Sequence, residues 1–469
     1  MGRIELKRSL LAAIAFGSTV AVVSSGLSSV GASTKPLGVT WMQGFAAPGT
    51  PAKYDKVGVI EVGPSSAKNV LVLEPGTSAG SAYFVPLARW IVSKTKGWQV
   101  WSIERRENLL EDQSELNLFK EGKATATQLY DYYLGYLKNP SITHHIQSIP
   151  NSSVEFAKNW GLNVAVQDLH RVITAAKKLG GKVVLGGHSL GGSVVTAYAT
   201  WDFHGHAGAD DLAGLVYIDG GSAPTPISAP DATAELQALL APSATPWLAF
   251  GGIPAPYAGI FNATGSAAAL LDPNGPSLGQ SSGLLPADIV PSVPVTNVGQ
   301  YGYALNAATS PPSLLAAQAH LGTGLSASGG WNGAGALTPI KRFATMFSGY
   351  PMKNVDGTEW YFPQRLTDDT GAVDNGNANP AQSVLDVDAT MGHNLPRDLQ
   401  IYVFGARLGG AGVLEDAQIL ADQSHIPVKN LTLVNRQSTY SHNDPAGAYP
   451  DNVFFDHLVP FLKKISSNG

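Results

Sequence analysis

The chain has 469 residues, a formal net charge of −5 and only 14% charged residues. Without a basic surplus it offers no electrostatic case for binding nucleic acid or an anionic membrane surface. The absence of cysteine excludes disulfides, thiolate metal sites, a cysteine nucleophile and a lipoprotein-type anchor. The length allows one large core or two to three average domains.

The first residues read as a targeting segment. Arg3, Lys7 and Arg8 form a positive start, residues 10–23 are mostly apolar but short for a membrane span, and Val30-Gly31-Ala32 fits a cleavage site after Ala32. The expectation is a signal peptide over 1–32. The product would be secreted, extracellular or in the cell envelope, with no stable membrane anchor after cleavage. A secreted chain without cysteine is commoner in bacteria than in eukaryotes.

Residues 34–54 read as an irregular lead. Residues 57–62 alternate like an exposed early strand, and 69–73, Asn-Val-Leu-Val-Leu, read as a strand buried on both faces. A turn, Glu74-Pro75-Gly76-Thr77-Ser78, precedes a helix expected over 83–93; it lacks the Lys-Ser/Thr of a phosphate loop. The strand 99–103 runs into the charged cluster Glu104-Arg105-Arg106-Glu107. That cluster lies where ligands bind in open α/β sheets, but surface ion pairs are the favoured reading. The tyrosine-rich helix at 128–137 reads as packing. An amphipathic helix is expected over 163–179, ended by Gly180 and Gly181.

The most informative stretch follows. Residues 183–185 read as a buried strand, then come Gly187-His188-Ser189-Leu190-Gly191 and a small-residue helix from Ser193. Strand, G-x-S-x-G and helix in that order form a nucleophile elbow. The turn is tight enough that side chains two positions either side of the serine would collide, and Gly187 and Gly191 remove them. The Leu190 amide then points at the same spot as the serine hydroxyl, and the Thr77 amide, or less favourably that of Ser78, supplies a second donor for an oxyanion. His188 reads as packing beside the elbow and not as a base.

Another strand, 213–218, ends at Asp219. Strand–helix alternation up to this point argues a mostly parallel, doubly wound sheet. From 222 to 395 the alternation is lost in a Pro-, Gly-, Ala- and Ser-rich stretch with short helices expected at 232–240, 312–321 and 339–347. This reads as an inserted helical cap over 223–395, splitting a core of 33–222 and 396–469. The sheet resumes at 400–405, a helix is expected at 414–421, and the last strand is 431–434. His442 sits in the polar loop beyond that strand, before a closing helix at 452–464.

A serine hydroxyl needs a base within hydrogen-bond reach, and the base needs an acceptor on its other nitrogen. His442 is the base best placed to serve Ser189. The Gly187–Gly192 motif, the Pro75-Gly76-Thr77 turn and His442 resemble the α/β-hydrolase superfamily, over about residues 57–222 and 396–469. The resemblance implies an eight-stranded mostly parallel sheet, a Ser-acid-His triad in that chain order, a cap between strands six and seven, and secreted esterase- or lipase-like activity. Many members carry Asp in a Gly-x-x-Asp pattern after strand seven, whereas this chain has Gly405-Ala406-Arg407-Leu408. The acid is therefore Asp219, at the tip of strand six, or else Glu415 or Asp416.

The expected reaction is hydrolysis of a small-molecule or lipid-like ester through an acyl-enzyme, with no metal or cofactor. Acyl transfer, amide or C–C cleavage on the same residues, and an inactive hydrolase fold used for binding, are the alternatives.

Overall fold

The computed structural model describes residues 37–222, 226–250 and 252–467; the signal segment expected over 1–32 lies outside them. Eight strands form one sheet: β1 (Val39–Gln43), β2 (Lys56–Val62), β3 (Asn69–Glu74), β4 (Trp98–Glu104), β5 (Val183–His188), β6 (Gly214–Ile218), β7 (Gln400–Gly405) and β8 (Leu431–Asn435). Their spatial order is β1-β2-β4-β3-β5-β6-β7-β8. β2 is antiparallel to both of its neighbours, and every pairing from β4 to β8 is parallel. The sequence reading missed β1. It is an edge strand with no buried residue, so it lacks the apolar run that marks an inner strand.

The strands read as continuous apolar runs because both faces are covered. In β3, Val70 and Val72 join one core cluster, while Leu71 and Leu73 join the other. The helices that matter to the site are α1 (Val85–Lys94), α2 (Leu162–Lys177), α3 (Leu190–Thr200), α4 (Ala255–Leu271), α5 (Ile340–Ser348), α6 (Gly410–Gln423) and α7 (Val453–Ser467). Helices α2, α3 and α6 cover the first face; α1, α5 and α7 cover the second. α2 buries Val164, Val166, Leu169, Val172 and Ile173, each worth roughly 1.5–3 kcal/mol when fully removed from water. Gly180, at φ +77°, lets the chain turn back into β5.

The residues between β6 and β7 contain several helices and two short ribbons, Ala249–Phe250 with Ile253–Pro254 and Gly324–Leu325 with Trp331–Asn332. The expected helices are present with shifted limits: Ala229–Leu240, a 3-10 turn Pro312–Ala317, and α5. α4, at 17 residues the longest helix of the insertion, was not foreseen. Its small residues, with Gly259 and Gly265, leave no amphipathic stripe to read. The insertion packs as a continuation of the core. Trp247, Ile260 and Trp360 join the first cluster, and Phe343, Met346 and Phe347 the second.

The register places one end of the sheet level. Glu74 pairs with Gly187, His188 with Ile218, and Ile218 with Phe404. The loops leaving β3, β5, β6 and β7 therefore meet at a single edge, where open α/β sheets hold their ligands.

Candidate active site

Ser189 sits at that edge, between β5 and α3, with φ 56° and ψ −129°. No β-carbon-bearing residue takes this conformation without strain, and only an over-determined turn holds it. The glycines are what determine it. A β-carbon on Gly187 would lie 2.2 Å from the Gly191 carbonyl oxygen, and one on Gly191 would lie 2.4 Å from that of Glu74. From β6, Gly220 comes so close that its β-carbon would meet the Ser189 carbonyl oxygen at 1.9 Å. The Ser189 amide donates to the Ile218 carbonyl at 3.1 Å. The Leu190 amide, at the first helical position, has no acceptor within the helix.

Asp219 follows immediately on β6, and its carboxylate meets His442 Nδ1 at 2.7 Å. Its oxygens also accept from the amides of Ala406 (2.6 Å), Gly409 (3.0 Å) and Leu408 (3.2 Å). The loop after β7, which reads Gly405-Ala406-Arg407-Leu408 and carries no aspartate of its own, thus wraps its amides around the aspartate that follows β6. Burial alone would raise the Asp219 carboxyl, but its bond to His442, the imidazole's charge and the Ala406 amide outweigh burial and hold it below the usual value. Glu415 is exposed. Asp416 is buried near Gly221 and makes no bond to His442; burial, then the Glu415 charge, raises it to about 6. Of the three candidate acids, the structure joins only Asp219 to the histidine.

His188 supports the arrangement from below. Its ring lies 4.4 Å from that of His442 and 5.2 Å from that of Tyr83, and its Nε2 is 2.9 Å from the His442 carbonyl oxygen. Burial, followed by the nearby His442, pushes its pKa down to about 3, so it stays neutral and donates from Nε2. Two residues beyond the histidine, the buried Asp444 accepts from the amides of Ser441 and His320, from His320 Nδ1 and from the Thr338 hydroxyl. Asn443 donates to the carbonyls of Ala316 and Gln318. The His442 loop is thereby pinned to the insertion, which the sequence reading did not anticipate.

The strand order, with one antiparallel strand second from the edge, and a glycine-lined elbow on the central β5 settle the architecture. The chain has the α/β-hydrolase fold. No family model matches the sequence, and no curated protein matches it significantly. Solved structures do resemble this chain. A monoglyceride lipase from Saccharomyces cerevisiae is 10% identical, with 93% of this chain and 97% of that one covered and a TM-score of 0.39. A carboxyl esterase from Bacillus coagulans is 11% identical, with 92% and 99% covered and a TM-score of 0.39. A monoacylglycerol lipase from Paleococcus ferrophilus is 12% identical, with 88% and 99% covered and a TM-score of 0.37.

Thr77 lies in the turn after β3, half-buried. A β-carbon on its neighbour Gly76 would lie 2.8 Å from Ser189 Cβ, so this turn presses against the serine. The charged cluster after β4 corrects the sequence reading. Glu104, Arg105, Arg106 and Glu107 are not surface ion pairs; all four are buried. Arg106 pairs with Asp55 and Asp168, and Arg105 with Glu74 and Glu359. A run of charges reads as solvated from local composition, and only the distant carboxylates that meet it allow it inside. Among the described residues, no group of three His, Asp or Glu side chains is placed to hold a metal, and no helix is long and apolar enough to cross a membrane.

Proposed function

We propose that the chain is a serine hydrolase that cleaves carboxylic esters, with Ser189 as nucleophile, His442 as base and Asp219 as the acid. The observation that carries the reading is the 2.7 Å contact between His442 Nδ1 and a carboxylate already held by three backbone amides, beside a strained serine. With Nδ1 committed to Asp219, Nε2 is the nitrogen that takes the Ser189 proton as the hydroxyl attacks the ester carbonyl. The amides of Leu190 and Thr77 receive the oxyanion, each worth about 3–4 kcal/mol in enzymes where such a donor has been removed. The protonated imidazole then delivers its proton to the leaving alcohol, and water, activated by the same nitrogen, releases the acid from the acyl-enzyme.

The substrate is a small-molecule or lipid-like ester. The reading also places the protein outside the cytoplasm, with a mature chain beginning at Ser33; N-terminal sequencing of exported protein checks this. The function is tested with p-nitrophenyl esters from acetate to palmitate, using wild type and Ser189→Ala. Turnover by wild type that Ser189→Ala abolishes supports the reading. A wild type inactive on every ester and unlabelled by a fluorophosphonate refutes it.

A further inference from the structure

The turn that carries Thr77 can be accounted for bond by bond. The Ala79 amide returns to the Gly76 carbonyl at 3.3 Å, and the Gly80 amide donates to Gly357 of the insertion at 3.1 Å. The Ser81 amide donates to Glu104 at 2.6 Å. The Ser78 carbonyl accepts from the Glu359 amide at 3.0 Å. Among the described residues, this leaves the amides of Gly76, Thr77 and Ser78 without an acceptor. Backbone amides withdrawn from water are nearly always paired, so three free ones in a row, at buried Gly76 and half-buried Thr77 and Ser78 beside a serine, need something that holds them there.

Arg105 is that something. Its Nη1 donates to the Pro75 carbonyl at 3.0 Å, and its Nη2 to those of Gly76 at 2.7 Å and Ala79 at 3.5 Å. The guanidinium is itself fixed by Glu74 at 2.6 Å, from the end of β3, and by Glu359 at 2.7 Å, from the insertion. Its side chain is 5% exposed. The Pro75 carbonyl shares a peptide plane with the Gly76 amide, and the Gly76 carbonyl with the Thr77 amide, so one planar fork that holds these carbonyls holds those amides on the opposite side of the chain, away from the guanidinium. A lysine, with a single point of charge, reproduces none of this geometry.

We propose that Arg105 is a positioning residue for the oxyanion hole, holding the Thr77 turn in its donor-out form, and that Glu359 couples the insertion to that hole. The proposal rests on the serine-hydrolase reading above. It makes the hole a joint product of core and insertion, since residues 357–359 pair with residues 78–80 on one side while Arg105 bridges them on the other.

The test compares Arg105→Lys, Glu359→Gln and Arg106→Lys with wild type, each normalised to titratable serine. Arg106 is also buried but, among the described residues, bonds only Asp55, Asp168 and the Phe45 carbonyl, so its variant reports the cost of a lost buried arginine alone. For Arg105→Lys on p-nitrophenyl butyrate, kcat falls about 10²–10³-fold with KM within about threefold. The inhibition constant of a trifluoromethyl ketone, whose adduct carries the oxyanion, weakens by the same factor. Arg106→Lys lowers Tm but leaves kcat within about threefold. Glu359→Gln lowers kcat about tenfold and keeps the fold, so it decides the matter should Arg105→Lys not fold. Equal kcat losses in Arg105→Lys and Arg106→Lys, or unchanged kcat in Glu359→Gln, overturn the proposal. An inactive wild type overturns the serine-hydrolase reading itself, and the clamp with it, which is a different result from an active wild type with an indifferent Arg105.

Discussion

Replacing Asp219 with asparagine separates the charge of this side chain from its shape. The carboxylate meets four N–H groups with two oxygens: Ala406 and Gly409 on Oδ1, Leu408 and His442 on Oδ2. An amide offers only one oxygen, and it stays on the Oδ1 side because two short bonds are kept there. The NH₂ then faces Leu408 and His442. The imidazole adapts by moving its proton from Nδ1 to Nε2, leaving one part-buried amide, that of Leu408, opposed by a donor. That costs roughly 1–3 kcal/mol of stability, so the variant folds. The tautomer change is more serious, because Nε2 now donates where it must accept. Loss of the right tautomer lowers kcat about 10⁴-fold in such triads, equivalent to about 5 kcal/mol of transition-state stabilisation. The assay is kcat on p-nitrophenyl butyrate at fixed pH, with a urea melt on the same sample. Asp416→Asn is the control and stays within about twofold of wild type. An Asp219→Asn enzyme within about tenfold of wild type would falsify the assignment of the acid.

Gly187→Ala places a β-carbon 2.2 Å from the Gly191 carbonyl oxygen; we expect a loss of at least ~3 kcal/mol, read as insoluble protein or a collapsed thermal transition, and a soluble, active variant would show the elbow to be less constrained than described. Asp444→Asn leaves some of the four donors around that carboxylate unpaired, so stability falls by roughly 2–4 kcal/mol and kcat falls with it; a kcat unchanged at full folding separates the His442 loop from its anchor. Stability also carries a pH signature. Burial is the first cause in raising the carboxyls of Glu104, Glu107 and Asp369 to about 7. Each then holds its proton more tightly folded than unfolded. Their contribution is full below the unfolded value, about pH 4.5, and is lost as pH rises through 7. His188, pushed down to about 3, acts oppositely but only below its unfolded value of about 6.5. The urea midpoint is therefore expected to fall between about pH 5 and 7, where three raised carboxyls outweigh one lowered imidazole, and less so in Glu104→Gln; a midpoint rising over that range is incompatible with these burials.

Much of the core was legible because its signals are local. The runs at β3 and β5 are apolar throughout, and the glycines flanking Ser189 announce the turn that needs them. The acid was legible only as a choice among Asp219, Glu415 and Asp416, since what selects it is non-local: β6 lies beside β7, and the amides of Ala406, Leu408 and Gly409 close on it. Arg105 was misread for the same reason, because its partners Glu74 and Glu359 lie 31 and 254 residues away. β1 leaves every residue at least partly exposed, and α4 buries small residues without a stripe, so neither leaves a periodic trace.

The order of the parts along the chain has a practical side. Ser189 and Asp219 stand on adjacent strands before the insertion, while His442 comes after it. A break in the insertion thus leaves nucleophile and acid on one fragment and the base on the other. We expect each fragment alone to be silent, and turnover of a fluorogenic ester to return only when the two are brought together. If so, the chain would serve as a split reporter whose signal is amplified by catalysis; turnover by the first fragment alone would rule that use out.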